Sequence, residues 1–128
     1  RKTVWRLGIE RPQNNSSRTI AAVVPLENLS MATSGNYRNF YTRKNGEKVS
    51  HVIDGRTGTP VPHPFSSVTV LHKDCITADA LATALFVLGH EEGLKLAEKE
   101  NIAALYVLPK GDGFELKASP TFPEFRRL

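Results

Sequence analysis

Apolar and polar residues change their period along this 128-residue chain, and the changes divide it into three stretches. The first stretch favours the two-residue alternation of half-buried strands. Val4 to Ile9 and Thr19 to Val24 read as strands, the second stopped by Pro25, with a Pro/Asn/Ser-rich loop from Arg11 to Arg18 between them. Asn28 to Ser34 reads as a short strand ending at Gly35-Asn36, and Asn39 to Thr42 looks extended. Lys44-Asn45-Gly46-Glu47 reads as a hairpin turn because Asn-Gly tolerates positive φ, with Lys48 to Asp54 as the returning strand. Gly55 to Pro64 holds two Gly and three Pro and reads as a constrained loop. Ser67 to Leu71 is β-branched and apolar, the pattern of a buried strand.

The middle stretch switches to helical spacing. Ala78 to Leu88 is apolar almost all round, with Thr77 as the expected N-cap and Gly89 as the stop. A helix apolar on every side is a buried one. Glu91 to Asn101 reads as a second, amphipathic helix, with Leu94 and Ala97 on one face and Glu91/Lys95 as an i,i+4 pair. The last stretch returns to strands, Ala103 to Leu108 and Phe114 to Ala118, around a turn at Lys110 to Gly113, and a tail from Pro120 that drapes over the surface. Strands, then two helices, then strands predict an α+β domain whose mostly antiparallel sheet is covered by two helices.

Composition sharpens this. The length suits one domain, and 40% apolar with 23% charged residues is near the globular average. No run reaches the roughly 18 apolar residues of a membrane span. The single Cys75 excludes an internal disulfide and a multi-cysteine zinc site, and is expected to be a buried, inert thiol. The net charge of +4 is uneven: residues 1–18 carry five basic residues against one acid, and the last 80 carry eight against ten. A basic face attracts anions such as nucleotides, although an ordinary solvated surface has the same composition. No RNA-binding aromatic-glycine signature, zinc-finger spacing or phosphate-binding glycine loop is present.

Three short stretches carry candidate chemistry. Asp79 and Thr83 are the only polar side chains between Ala78 and Leu88, and four residues apart on a helix they share a face with Cβ atoms about 5–6 Å apart. A carboxylate and a hydroxyl are hard oxygen donors of the kind Mg²⁺ takes. The same pair also reads as an acid stabilising the helix dipole in the first turn and a threonine bonded back to the backbone. His51 ends a strand that enters the Gly/Pro-rich loop at Asp54-Gly55-Arg56-Thr57-Gly58, a place where scaffolds present catalytic groups. An unperturbed imidazole titrates near pH 6.5 and so serves as a base. A structural His51 followed by an Asp54 Asx-turn is the other reading. In Met31 to Arg38, Thr33-Ser34-Gly35 would let a backbone approach a ligand closely, with Tyr37 adding an aromatic surface; a strand ending in an Asn/Gly turn explains it equally.

Taken together and in order, Ala32-Thr33-Ser34-Gly35-Asn36-Tyr37, Ser50-His51-Val52-Ile53-Asp54 with Arg56-Thr57-Gly58, Ser67-Val68-Thr69-Val70, and Ala78-Asp79-Ala80 with Thr83 and Val87-Leu88-Gly89 resemble the ApbE family, the FAD:protein FMN transferases. The resemblance spans about residues 5–110 and covers the later part of the family's domain, so it implies that 1–128 is the C-terminal part of a longer domain whose N-terminal part is absent. It implies Mg²⁺-dependent cleavage of FAD, passage of FMN to a threonine hydroxyl of a target flavoprotein, and release of AMP. Asp79 and Thr83 would be the Mg²⁺ ligands and His51 the base for the acceptor hydroxyl. Val52, Ile53 and Asp54 would contact FAD, with Ser34 and Gly35 near the flavin. Two departures stand out: Ala82 where some members carry an acid, and Gly55 where a proline is usual. The implied partners are FAD, the acceptor protein and the N-terminal half, with no nucleic acid expected. The implied location is the bacterial periplasm, as an inner-membrane lipoprotein. A flavin-binding module without turnover, an FAD pyrophosphatase and a basic nucleic-acid-binding domain are the alternatives.

Overall fold

A computed structural model of the chain describes residues 3–13, 18–37, 40–62 and 66–128. Arg1 and Lys2, residues 14–17 of the expected loop, Arg38 and Asn39 of the expected extended segment, and residues 63–64 of the Gly/Pro-rich loop lie outside them.

The strand alternation places two apolar faces back to back. β1 (Trp5–Glu10) and β2 (Ile20–Leu26) pair antiparallel. β3 (Ser30–Gly35) follows, then the hairpin of β4 (Phe40–Thr42) and β5 (Lys48–Ser50), then a second small hairpin of β6 (Ile53–Asp54) and β7 (Thr59–Pro60). β8 (Ser67–His72), helix α1 (Cys75–Lys99), β9 (Ala103–Lys110), β10 (Gly113–Ala118) and β11 (Arg126–Arg127) complete the described elements. The main sheet has the order β10-β9-β8-β3 and a second sheet the order β1-β2-β11, both antiparallel throughout.

Val68 and Val70 of β8 point to one face of the main sheet, where Ala78, Ala82, Leu85, Phe86 and Ala97 of α1 bury them. Leu71, Leu105 and Val107 point to the other face and meet Ile9, Ala22 and Val24 of the second sheet. The architecture is therefore helix on sheet on sheet. One face of the main sheet is covered by the two expected helical runs, which follow one another as α1, and the other face by the second sheet. Covering on both faces accounts for the unbroken burial of Ser67 to Leu71 along β8.

The two expected helices are both present, joined end to end across a kink at Gly89 (φ 79°, ψ 170°), and together span Cys75–Lys99 as α1. That left-handed φ is open to glycine and strained for most other residues. The kink costs helical hydrogen bonds, and Tyr106 of β9 supplies a donor there. Its hydroxyl donates to the Leu85 carbonyl at 2.7 Å and lies 3.3 Å from the Gly89 carbonyl. Gly93 makes room for it: a Cβ at 93 would stand 1.9 Å from the Tyr106 hydroxyl oxygen. Gly93→Ala is expected to destabilise the intact protein by about 3 kcal/mol through overpacking. Tyr106→Phe should cost about 1 kcal/mol by removing its buried hydrogen bond. Adding Gly93→Ala to Tyr106→Phe should cost clearly less than adding it to the wild type, because the hydroxyl is gone. Urea denaturation of the four forms checks this. Burial also pushes the Tyr106 phenol well above its ordinary value of 10. The unfolded phenol ionises first, so this contribution is full below about pH 10 and lost as pH rises beyond it. Tyr106→Phe should flatten that alkaline decline.

Several boundaries differ from the alternation pattern for local reasons. Helix α1 starts at Cys75, not after Thr77. Asp74 occupies the N-cap without a side-chain cap bond, and Cys75 is exposed rather than buried. The helix stops at Lys99, with Asn101 adopting a positive φ of 52° just beyond it. β2 runs through Pro25 to Leu26. β11 pairs only with Ala22 and Val23, so Pro25 lies where one neighbouring strand suffices and proline is tolerated. The expected strand Lys48 to Asp54 breaks after Ser50, whose Oγ accepts the Val52 N–H at 3.1 Å and turns the chain away. The loop after it pairs as β6–β7. The tail is anchored: Phe122 is buried in the second core, edge-on to Phe125, and β11 joins β2.

Candidate functional site

The conformation of each candidate residue follows from the element that carries it. β3 lies against β8 with Ser34 opposite Val68 and Gly35 opposite Ser67. Alternation turns Ala32 and Ser34 toward α1, and Ala32 packs on the helix-side core. Gly35 is required by close approach: a Cβ there would stand 2.9 Å from the Ser66 carbonyl oxygen and 2.9 Å from the Tyr37 ring. Asn36 is buried, and its side-chain oxygen accepts the Ser66 N–H at 3.2 Å, which fastens the end of the strand pair.

Helix α1 presents Asp79 and Thr83 on its exposed side, while Ala78 and Ala82 face the core. Position 82, acidic in some relatives by the resemblance above, is fully buried here. Asp79 is not in the first turn, which holds no acid, so the helix dipole does not explain it. The backbone reading of Thr83 holds: its hydroxyl donates to the Asp79 carbonyl at 3.2 Å. Ser34 Oγ lies 3.0 Å from Thr83 Oγ1. The first and third candidate stretches thus meet through two hydroxyls 49 residues apart in sequence.

The second stretch divides into an exposed part and a pinned part. His51 is exposed on the link between β5 and β6. Beside it, Val52 packs on the same helix-side core as Ala78 and Ala82, and its carbonyl accepts the Val61 N–H at 3.0 Å. Ile53 is 52% exposed. Asp54 is buried and forms the expected Asx-turn, its Oδ1 accepting the Arg56 N–H at 2.9 Å. The Arg56 Nε and Nη2 then close on the same carboxylate, Nη2 at 2.7 Å. That hydrogen bond, and then the charge of Asp54, hold the Arg56 guanidinium above its ordinary pKa. A cleft of about 310 Å³ separates this hairpin from Val87 and Leu88 of α1, with Thr57 and Thr59 on its wall. A second, of about 320 Å³, runs from Asn36 past Phe40, Arg43 and Lys48 to Ser50 and Thr59.

The structure therefore gathers all the candidate stretches around α1 and the β3 side of the main sheet. It gives Asp54 a structural partner in Arg56 that spacing alone did not reveal. Among the described residues no three His, Cys, Asp or Glu side chains cluster as a self-sufficient metal cage. The donors at the Asp79 end are one carboxylate and the hydroxyls of Thr83 and Ser34.

Comparison with known proteins places these features in context. The family model described as "ApbE family" matches residues 1–106. The FAD:protein FMN transferase of Haemophilus influenzae is 42% identical over 118 residues, covering 92% of this chain and 34% of that protein. The FAD:protein FMN transferase of Vibrio cholerae is 41% identical over 121 residues, covering 94% and 36%. Among solved structures, the apo flavinyl transferase ApbE of Pseudomonas stutzeri superposes with a TM-score of 0.71 at 39% identity, over 91% of this chain and 35% of that one. The ApbE protein of Thermotoga maritima gives 0.75 at 28% identity, over 92% and 37%. The chain spans about a third of the length of the curated relatives it matches.

Proposed function

The chain belongs to the ApbE family, and on that premise we propose that the intact protein moves FMN from FAD to a threonine hydroxyl of a target flavoprotein, releasing AMP. The observation that supports this most is the meeting of Ser34 with Thr83 beside Asp79, on a helix whose later turns face the Asp54–Thr59 hairpin. Relatives at about 40% identity carry the name FAD:protein FMN transferase.

The donor set suits Mg²⁺. This ion takes one or two carboxylates and fills the rest of its shell with water and substrate phosphate oxygens, so a single exposed carboxylate with a neighbouring hydroxyl fits and a full protein cage is unnecessary. Asp79 and Thr83 would hold it. When bound, the ion would neutralise charge on the pyrophosphate oxygens of FAD. The chain's own residues do the rest. Asp79 and Thr83 orient the phosphate end, and Val52, Ile53 and Asp54 line the approach of the dinucleotide. Ser34 and Gly35 stand at the helix side of the same region. His51, exposed on a backbone held on both sides, takes the proton from the acceptor threonine. Its attack forms the bond from the threonine oxygen to the FMN phosphorus, and the bond to the AMP oxygen breaks.

The same reading puts the intact protein in the bacterial periplasm as an inner-membrane lipoprotein, with the rest of the domain as part of the pocket. Among the described residues no helix is long and apolar enough to cross a membrane.

The test is to incubate the intact protein with FAD, Mg²⁺ and a candidate acceptor, and to follow covalent flavin fluorescence on denatured acceptor together with AMP release. Labelled acceptor with one AMP per FMN is expected. FMN and AMP without a labelled protein would replace the proposal by FAD hydrolysis. No effect of FAD, with nucleic-acid binding that weakens steeply in salt, would overturn both.

A further inference from the structure

We infer that Ser34 is a positioning residue for the Thr83 hydroxyl, and that it tunes the affinity of the helix α1 site for a divalent cation. The inference rests on the reading of Asp79 and Thr83 as cation ligands. It gives Ser34 a role distinct from the flavin contact that the motif implies.

Hydrogen-bond geometry carries it. Thr83 has one hydroxyl proton, and that proton is directed to the Asp79 carbonyl at 3.2 Å. Thr83 Oγ1 also lies 3.0 Å from Ser34 Oγ. With both bonds made, Ser34 must be the donor and Thr83 the acceptor. A helical threonine otherwise divides between two side-chain rotamers. The Ser34 bond selects one of them, and it leaves the second lone pair of Thr83 Oγ1 for a cation. The donor is itself fixed. Ser34 sits opposite Val68 in the β3–β8 ladder, and the next residue, Gly35, lies flush against the Ser66 backbone and the Tyr37 ring. A shift of β3 would therefore be felt at Thr83, although Ser34 does not touch the cation. Groups that orient metal ligands in this way alter affinity by roughly 10–100-fold when removed.

The experiment uses the intact protein and Mn²⁺ alone as the probe, with bound metal read from the loss of the free Mn²⁺ EPR signal. FAD affinity is measured separately by fluorescence. Asp79→Ala should lose Mn²⁺ binding. Ser34→Ala should weaken Mn²⁺ by about tenfold or more, with the metal-free unfolding midpoint within a few degrees of wild type. A second pair guards against a packing effect. Ser34→Thr and Ser34→Val are matched in size, and only the first, which keeps a donor, should restore Mn²⁺ binding. If Asp79→Ala loses Mn²⁺ while Ser34→Ala binds it like wild type, the inference is overturned and the cation site stands. If Ser34→Ala weakens FAD instead of Mn²⁺, or Ser34→Thr binds no better than Ser34→Val, the positioning role is also overturned. If Asp79→Ala binds Mn²⁺ normally, the cation reading itself fails.

Discussion

Replacing Asp79 by Ala in the intact protein is expected to lower Mg²⁺-dependent release of AMP from FAD by about a thousandfold while leaving the fold in place. A cation that neutralises phosphate charge contributes several kcal/mol to the transition state, and about 4 kcal/mol corresponds to three powers of ten in rate. The carboxylate is exposed on the outer side of α1, and it lies beyond the first turn, where the helix dipole acts. Removing it should change stability by no more than about 0.5 kcal/mol, the usual range for a surface site. That separation makes the test decisive. A variant that unfolds at the wild-type urea concentration and yet has lost turnover points to chemistry. Asp79→Asn, which keeps one neutral oxygen donor, should fall between the two. Excess Mg²⁺ should recover part of its activity and none of that lost in Asp79→Ala. Full turnover in Asp79→Ala would remove this carboxylate from the proposed mechanism.

The reach of the sequence reading shows in particular residues. Local patterns were legible where one residue fixes the backbone. Asn45-Gly46 marked the β4–β5 hairpin, and Gly46 has φ 84°. Gly89 marked the end of the first helical run, because its left-handed φ interrupts α1 there. The second helical run after Gly89 was legible too; spacing did not show that it follows the first with no loop between, or that Tyr106, 17 residues on, bonds at the kink. The strand break at Ser50 was hidden because alternation continues through Val52 and Asp54, while a single Ser50–Val52 bond redirects the chain. The tail looked superficial by its prolines, yet Phe122 fills the second core.

At the site, residue types and their order were legible from motifs, and the partnerships were not. The i,i+4 relation of Asp79 and Thr83 follows from helix geometry alone. The Ser34–Thr83 contact needs the β3–β8 register and the seating of α1 on that sheet, which spacing does not encode. Asp54 illustrates the same limit. Its position in the motif reads equally as a ligand contact or a turn, and only the structure shows Arg56 closing on its carboxylate. The exposed Asp79 and His51 therefore stand apart from the buried Asp54, whose carboxylate already holds the hairpin.

His51→Ala is expected to lower FMN transfer to the acceptor threonine by roughly 10²–10⁴-fold, the range for loss of a positioned general base, with FAD affinity close to wild type. The setting of the residue explains why the two effects should separate. Ser50 is buried, with its hydroxyl tied to the Val52 N–H, and the Val52 carbonyl is tied to Val61. The backbone on both sides of His51 is thus fixed by bonds that do not involve its side chain, and the residue is exposed. Truncation at Cβ leaves those bonds and the Asp54–Arg56 hairpin in place, so the surfaces proposed for FAD survive. What disappears is the group that removes a proton from a weak nucleophile, since a threonine hydroxyl attacks phosphorus poorly while protonated. Added imidazole should restore part of the transfer in His51→Ala and none in Asp79→Ala, because a free base can reach an exposed site but cannot replace a cation ligand. The measurement is covalent flavin on the denatured acceptor as a function of time, with FAD binding followed separately. Undiminished transfer by His51→Ala would move the base to another residue; a large loss of FAD affinity would make His51 a binding contact instead.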